Sequence, residues 1–421
     1  MSDSDSNTDS ETFTHKKQKI MNTRTETIFI LSRWLVSREF PDRLITESAE
    51  RAFITDLTYT TIRYYGALLW VLERFVKKMP NGETQAALLL GACQILFMED
   101  VADHAAVNET VEAAKSRSKK SAGLVNGVLR NIIRSRDEIL KDLEDQPLYI
   151  RKSHPEVLAK RWIARFGEEE TAKLFDWNNT PAETFIAGKP DAEGKTPFSK
   201  APRGTSIRDI PGYNEGEFIV QDPATASAIK LLDLKPGLSV LDACASPGGK
   251  TIQIAWRMGN PPAEGSKVLA IDLHEDRIAT INENLKRTKL EWVEIEQANL
   301  MEPADEIATK HGLFDRILLD VPCSNSGVLR RRPDARWRWS ERRMSKLITA
   351  QQSILAHASR LLAPGGILVY STCSLEPEEN SELIEAFLKR YSRFSVMKSV
   401  EQIPTRSGTD GAFACALTKT S

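Results

Sequence analysis

From about residue 218 onward the chain alternates short apolar runs with amphipathic stretches of helical length, and this alternation constrains the fold more than any other feature. The runs LSVLDACA, KVLAID, WVEIEQ, DRILLD and GILVYS are separated by helical segments near 249–258, 275–287, 345–362 and 377–389. Continuous apolar runs of strand length belong to strands covered on both faces, so the pattern predicts βαβ units and a parallel sheet between helical layers. Such sheets bind ligands beyond the carboxyl ends of their strands. Chemically useful residues are therefore expected directly after each run.

The rest of the chain reads differently. Residues 1–23 are mostly Ser, Thr, Asp and Lys, too polar to offset the entropy of ordering, and predict a disordered tail. Over 24–140 apolar residues recur at helical spacing, as at Leu88, Ala92, Ile95 and Leu96, which predicts an all-helical bundle. Residues 141–215 combine a helical stretch near 155–175 with a Pro-, Gly- and Lys-rich stretch over 178–204, read as a small intermediate module with a flexible connector. The sheet domain then occupies 216–421.

A formal charge of −1 argues against a protein that holds nucleic acid by bulk charge, but the average hides two basic segments. Residues 113–136 carry Lys115, Arg117, Lys119, Lys120, Arg130, Arg134 and Arg136 and no acid. Residues 330–343, RRRPDARWRWSERR, carry seven arginines and two acids, with Trp337 and Trp339 interleaved. Together the segments hold +12, which leaves −13 for the remainder. The first segment is either a solvated helical face or a contact surface for RNA phosphates, and the second either a salt-bridged surface loop or a continuation of that surface. The functional reading predicts a basic track from the helical domain to the ligand crevice, using Lys115, Lys119, Lys120 and Arg130, then Arg330, Arg331, Arg332, Arg336, Trp337 and Arg338, with strongly salt-dependent binding.

Five cysteines with no C-x-x-C pair argue against a disulfide framework or zinc ribbon, so no metal is expected. No apolar run approaches the roughly 18 residues of a membrane span, and the start lacks the apolar core of a secretory signal. A cytoplasmic protein with no membrane association is the expectation.

The first strand leads into Asp242-Ala243-Cys244-Ala245-Ser246-Pro247-Gly248-Gly249-Lys250-Thr251. A P-loop would need glycine where Cys244 stands, and no G-x-G-x-x-G occurs, so the glycines make either a tight strand-to-helix turn or a binding loop of another kind. Asp272 closes the second strand, where a carboxylate can accept both ribose hydroxyls or cap the next helix. Together they favour a nucleoside-containing cofactor. Cys323 follows one strand in Asp320-Val321-Pro322-Cys323-Ser324, and Cys373 follows the next in Thr372-Cys373-Ser374. Two thiols at the ends of neighbouring strands would face one crevice.

The motifs CASPGGK (244–250), DLHEDR (272–277), DVPCSNSGVLRRRPD (320–334) and STCSLEPEEN (371–380), with AAVNETVEAAK and GLVNGVLR in the helical half, carry a family resemblance. From about residue 25 onward the chain resembles the RNA (cytosine-5)-methyltransferases and, within them, the bacterial RsmB/Sun 16S rRNA enzymes. The resemblance implies an α/β Rossmann-like class I methyltransferase domain with a mostly parallel seven-stranded sheet. An all-helical NusB-like RNA-binding domain and a small RNA-binding module would precede it.

By the same resemblance, Cys244, Ala245, Ser246, Pro247, Gly248, Gly249 and Lys250 would cradle S-adenosyl-L-methionine, with Asp272 toward its ribose and Arg277 among the cofactor-binding residues. Asn299 stands where the family usually has an aspartate for the adenine amino group. Asp320 would lie by the methionine moiety and the target base, and Lys250 would contact that base. Cys373 would be the nucleophile and Cys323 would assist product release. The family's usual arginine shortly after Pro181 is missing from 182–188. The implied partner is an unpaired or flipped-out cytosine of 16S rRNA, met by a monomer. Another rRNA or tRNA site, or a non-catalytic RNA-binding or ribosome assembly factor, remain the alternatives.

Overall fold

A computed structural model of the chain describes residues 22–45, 50–117, 119–202 and 204–420. Residues 1–21 of the expected tail lie outside them. The first helix begins at Thr23, capped by Asn22, whose Oδ1 accepts from the Arg24 N–H. Two compact units result: one runs to Thr61 and resumes over Leu68–Leu140, and the other comprises Ile62–Ala67 and Lys141–Ser421.

The first unit is helical. Its helix Glu83–Phe97 is buried at every position from 86 to 95, which explains why that stretch is apolar all round rather than on one stripe. The one polar side chain there, Gln94, is satisfied: its amide donates to Thr110 Oγ1 (3.0 Å) and its oxygen accepts from Arg24 Nε (3.2 Å). In the basic segment Lys115 pairs with Glu112, Arg117 with Glu83, and Arg136 with Asp103. Lys119, Lys120 and Arg130 remain exposed.

The second unit holds two sheets. Strands β1 (Phe185–Gly188), β2 (Phe198–Lys200) and β3 (Phe218–Val220) form a small antiparallel sheet in the order β2-β1-β3. The flexible connector expected over 178–204 is therefore corrected to a hairpin. Asp191 closes its tip by accepting from the N–H groups of Glu193 and Lys195, and Ala187 is buried beneath it. Strands of three or four residues are too short to show a period, and the polar tip dominated the composition.

The large sheet contains β4 (Ser239–Ala243), β5 (Lys267–Asp272), β6 (Glu294–Gln297), β7 (Phe314–Asp320), β8 (Leu362–Thr372), β9 (Phe394–Gln402) and β10 (Ala412–Lys419), in the order β6-β5-β4-β7-β8-β10-β9. Neighbours among β4–β8 are parallel, and β10 runs antiparallel to both β8 and β9. Successive side chains point to opposite faces, so the sheet has two cores. Leu241, Leu269, Leu319 and Leu368 pack with Leu355 and Ile384 on one face, while Val240, Val268, Leu318 and Val369 pack with Ile252 and Ile281 on the other. The chain leaves β4 toward β5 and β6, then returns to β7 on β4's other side. This reversal opens a crevice at the carboxyl ends of β4 and β7, where open α/β sheets take ligands.

Candidate active site

The loop after β4 turns sharply into helix Gly249–Met258. Gly248 sits at φ 98°, a left-handed conformation that an L side chain would strain. Ala245 N–H donates to Ile271 O (2.9 Å) and Ser246 N–H to Asp272 Oδ2 (3.2 Å), which fastens the loop to the end of β5. Asp272 is only 3% exposed, its other oxygen faces the His274 N–H, and Arg277 lies 3.6 Å from it. Asn299 forms a local turn: its Oδ1 accepts from Met301 N–H (3.0 Å) and its Nδ2 donates to Glu302 (3.0 Å). One lone pair of Oδ1 is left for a further donor.

Asp242, at the end of β4, is fully buried. Thr251 Oγ1 donates to its Oδ2 (2.6 Å), while Oδ1 finds no partner among the described residues. Burial pushes its carboxyl up to about 7, against the hydrogen bond from Thr251 and the charge of Lys250. Because folding raises this pKa, the stabilising contribution is intact below about pH 4 and is lost as pH rises through about 7. Chemical unfolding of wild type and Asp242→Asn should show wild type losing stability relative to the variant across that window; parallel curves would contradict this assignment.

Lys250 points from the helix start to Asp320 at the end of β7, with Nζ–Oδ2 at 2.5 Å. Burial alone would lower the lysine's pKa, but the charge and hydrogen bond of Asp320 reverse the sign and raise it. Ser371 Oγ, on β8, donates to Asp320 Oδ1 (2.8 Å). Just beyond these strand ends, Cys323 and Cys373 bring their Sγ atoms to 3.3 Å. Cys373 also donates to Asn325 Oδ1 (3.1 Å), and Asn325 holds the loop through Nδ2 to Cys323 O (3.1 Å). The neighbouring Cys373 and burial both push the Cys323 thiol well up. Gly327 lets the two loops touch: its N–H donates to Cys373 O (2.9 Å), and a Cβ there would lie 2.9 Å from that oxygen.

Three residues with no role in the sequence reading belong to this site: Asn325, Ser371 and Glu379. Asn325, two residues past Cys323, is the one with a local signal. Glu379 sits in an acidic run at a helix start, where acids are unremarkable.

The arginine-rich segment is a correction. Arg336 is fully buried and donates to Asn179 Oδ1 (2.8 Å), Ser153 O (3.1 Å) and Asn178 O (3.1 Å). Arg331 bridges Asp222 and Asp410, Arg338 pairs with a buried Asp334, and Arg330 stacks on Trp177 while donating to Pro181 O. The Trp337 indole donates to Ile62 O (2.8 Å) and packs edge-on against Tyr65. Only Arg332 of the six predicted contacts is exposed; the others tie the second unit together. Arg336→Met should therefore destabilise by about 3 kcal/mol, since it strands several buried acceptors. Urea unfolding checks this, and an unchanged midpoint would contradict it.

Residues 229–417 match a family model described as 16S rRNA methyltransferase RsmB/F, and residues 21–134 match the NusB family. Ribosomal RNA small subunit methyltransferase B of Erwinia tasmaniensis is 31% identical over 402 residues, covering 88% of this chain and 91% of that protein. The chain belongs to the RsmB family of ribosomal RNA methyltransferases. Another similar protein, described as the probable ribosomal RNA small subunit methyltransferase B of Bacillus subtilis, is 32% identical over 411 residues, 88% of this chain and 90% of that one. A solved structure described as PH0851 superposes with a TM-score of 0.75 at 25% identity, covering 95% of this chain and 99% of its own.

As in any RsmB-family methyltransferase, S-adenosylmethionine is the methyl donor, and the donor set of the crevice suits it. Asp272 and Asp320 offer carboxylates to ribose hydroxyls and a sulfonium cation, whereas Lys250 is committed to Asp320 and leaves the loop no free cation for a phosphate. Among the described residues, no group of three or more His, Cys, Asp or Glu is placed to hold a metal ion, and no helix is long and apolar enough to cross a membrane.

Proposed function

We propose that this chain methylates C5 of an unpaired cytosine in RNA, with 16S rRNA as its substrate, through a covalent bond between Cys373 Sγ and C6 of the base. The observation that carries this reading is the 3.3 Å approach of two thiols beyond the ends of β7 and β8, the strands that also bring Asp320 and Ser371 together. A single cysteine is most simply a small buried hydrophobe; two converging on a ligand crevice call for chemistry. The 16S substrate is supported by the family model and by the names of the relatives.

Cytosine C5 is a poor nucleophile within an aromatic ring. Addition of the Cys373 thiolate to C6 breaks that aromaticity and makes C5 enamine-like, which splits one difficult step into two easier ones. S-adenosylmethionine, when bound, supplies an electrophilic methyl group. Lys250 and Asp320 offer a donor and an acceptor to the polar edge of the base. Cys323 stays protonated in the free site because its contact with Cys373 and its burial disfavour its charge. When Cys373 becomes a thioether it no longer shares a proton with Cys323, which can release its own proton to solvent and, as the thiolate, take the C5 proton. The C6–S bond then breaks and the Cys373 thiolate is regenerated. A base inside a helix cannot present C6 to this thiol, so the target is unpaired or flipped out, at about a few kcal/mol.

Bisulfite sequencing of rRNA and tRNA from cells with and without the gene tests the reading. One 16S cytosine should lose its protection when the gene is absent; a protected position that disappears from tRNA instead, or none at all, would contradict it. For RNA affinity, replacing Lys119, Lys120 and Arg130 with alanine should lower the slope of log affinity against log salt by up to about 2–3. An unchanged slope in a filter-binding titration would remove these residues from the interface.

A further inference from the structure

The Glu379 carboxylate lies where the two cysteine loops meet. It is completely buried and accepts four hydrogen bonds: from Ser324 N–H (2.9 Å), Ser324 Oγ (2.5 Å), Ser374 Oγ (2.5 Å) and Gln351 Nε2 (2.9 Å). Ser324 follows Cys323 and Ser374 follows Cys373, so one side chain grips both thiol-bearing loops at the adjacent residue. Gln351 also donates to Pro322 O (2.9 Å), the residue before Cys323. The Glu379 backbone is itself fixed, its N–H donating to Glu376 O (3.1 Å) and its carbonyl accepting from the buried Tyr370 hydroxyl (2.8 Å).

All four donors are neutral. A carboxylate so buried costs free energy that apolar packing would not, and its hydrogen bonds can only offset that cost. What the arrangement returns is geometry. We propose that Glu379 is a positioning residue for methyl transfer: by clamping Ser324 and Ser374 it fixes the spacing of Cys323 and Cys373, so that nucleophile and proton acceptor serve one ring. This rests on the two-thiol mechanism above. Its negative charge adds, after Cys373 itself and burial, to the influences that keep Cys323 protonated.

The test needs neither RNA nor cofactor for its first readout. Diamide takes two hydrogens from a pair of close thiols, forming one S–S bond while the diamide is reduced to its hydrazine. In the wild-type chain Cys323 and Cys373 should oxidise quickly, and Cys323→Ser should block this. Glu379→Ala should slow the reaction at least about tenfold, because the effective concentration of one thiol at the other falls. Glu379→Gln can still accept from Ser324 N–H and donate to both serine hydroxyls, and should stay within about threefold of wild type. Glu379→Asp is too short to reach both serines and should resemble alanine; it carries the test if the alanine variant does not fold. Wild-type oxidation rates in the alanine or aspartate variant overturn the clamp, whatever their melting temperatures.

Two further readouts separate the clamp from the mechanism. Removing the charge in Glu379→Gln should move the second thiol's titration, followed by thiolate absorbance, to lower pH; an unmoved titration overturns the electrostatic part. Methyl transfer should fall in kcat in the same order as oxidation. Slow oxidation with undiminished methyl transfer would overturn the two-thiol mechanism itself.

Discussion

Cys373→Ala is expected to lower methyl transfer by about 10⁴-fold or more, because Cys323, the other thiol on this site, is held protonated, and the loss of a covalent nucleophile is not graded. The fold should survive. Cys373 is half-buried, and its sulfur contacts Cys323 and Asn325 without supporting either core. Cys323→Ala should behave differently. Addition and methylation proceed, but the C5 proton has no acceptor, so an RNA–protein adduct accumulates and survives on a denaturing gel. An adduct with Cys373→Ala in place of Cys323→Ala would reverse the two roles.

The second large effect is expected at Asp320. Its removal leaves the Lys250 ammonium, 16% exposed, without its counter-charge. Breaking a buried pair from one side costs about 3–5 kcal/mol, and the partial exposure of Asp320 places this case at the lower end. Asp320 is the main influence that offsets burial of the Lys250 ammonium, so its removal leaves that charge less supported. Methyl transfer should drop about 10²–10³-fold, the usual consequence of removing one preorganised polar group from a reaction centre. The double change Lys250→Met with Asp320→Leu separates the two losses: stability should recover in urea unfolding while activity stays at least as low as in the Asp320 variant. Recovery of activity would show that the pair serves only packing.

The strands β4–β8 and the helices Gly249–Met258 and Glu275–Arg287 were legible because apolar runs alternate there with stretches of helical length, so that even the four-residue β6 is marked by its place in the alternation. Cys323, Cys373, Asp320 and Asp272 were legible because a parallel sheet puts strand-end residues in one crevice. The hairpin of β1 and β2 was not, its strands being too short to carry a period. The arginine segment misled for a different reason. A guanidinium can be buried when distant backbone carbonyls accept from it, and the acceptors for Arg336 come from Ser153 and Asn178. Nothing within the run RRRPDARWRW indicates them. The expected basic track accordingly loses most of its second half, and the exposed cations of the helical unit, with Arg332, are what remains of it. Glu379 was hidden in the same way, since its partners Ser324 and Gln351 lie far away in sequence.

The central claim is that the methyl group reaches C5 of cytosine through Cys373. Its most direct test is nucleoside analysis of 16S rRNA methylated in vitro with isotopically labelled S-adenosylmethionine, by the wild-type chain and by Cys373→Ala. Label should appear in 5-methylcytidine alone for wild type and in no nucleoside for the variant. Label on a ribose oxygen, on N4 or on another base, or undiminished 5-methylcytidine from the variant, would contradict it.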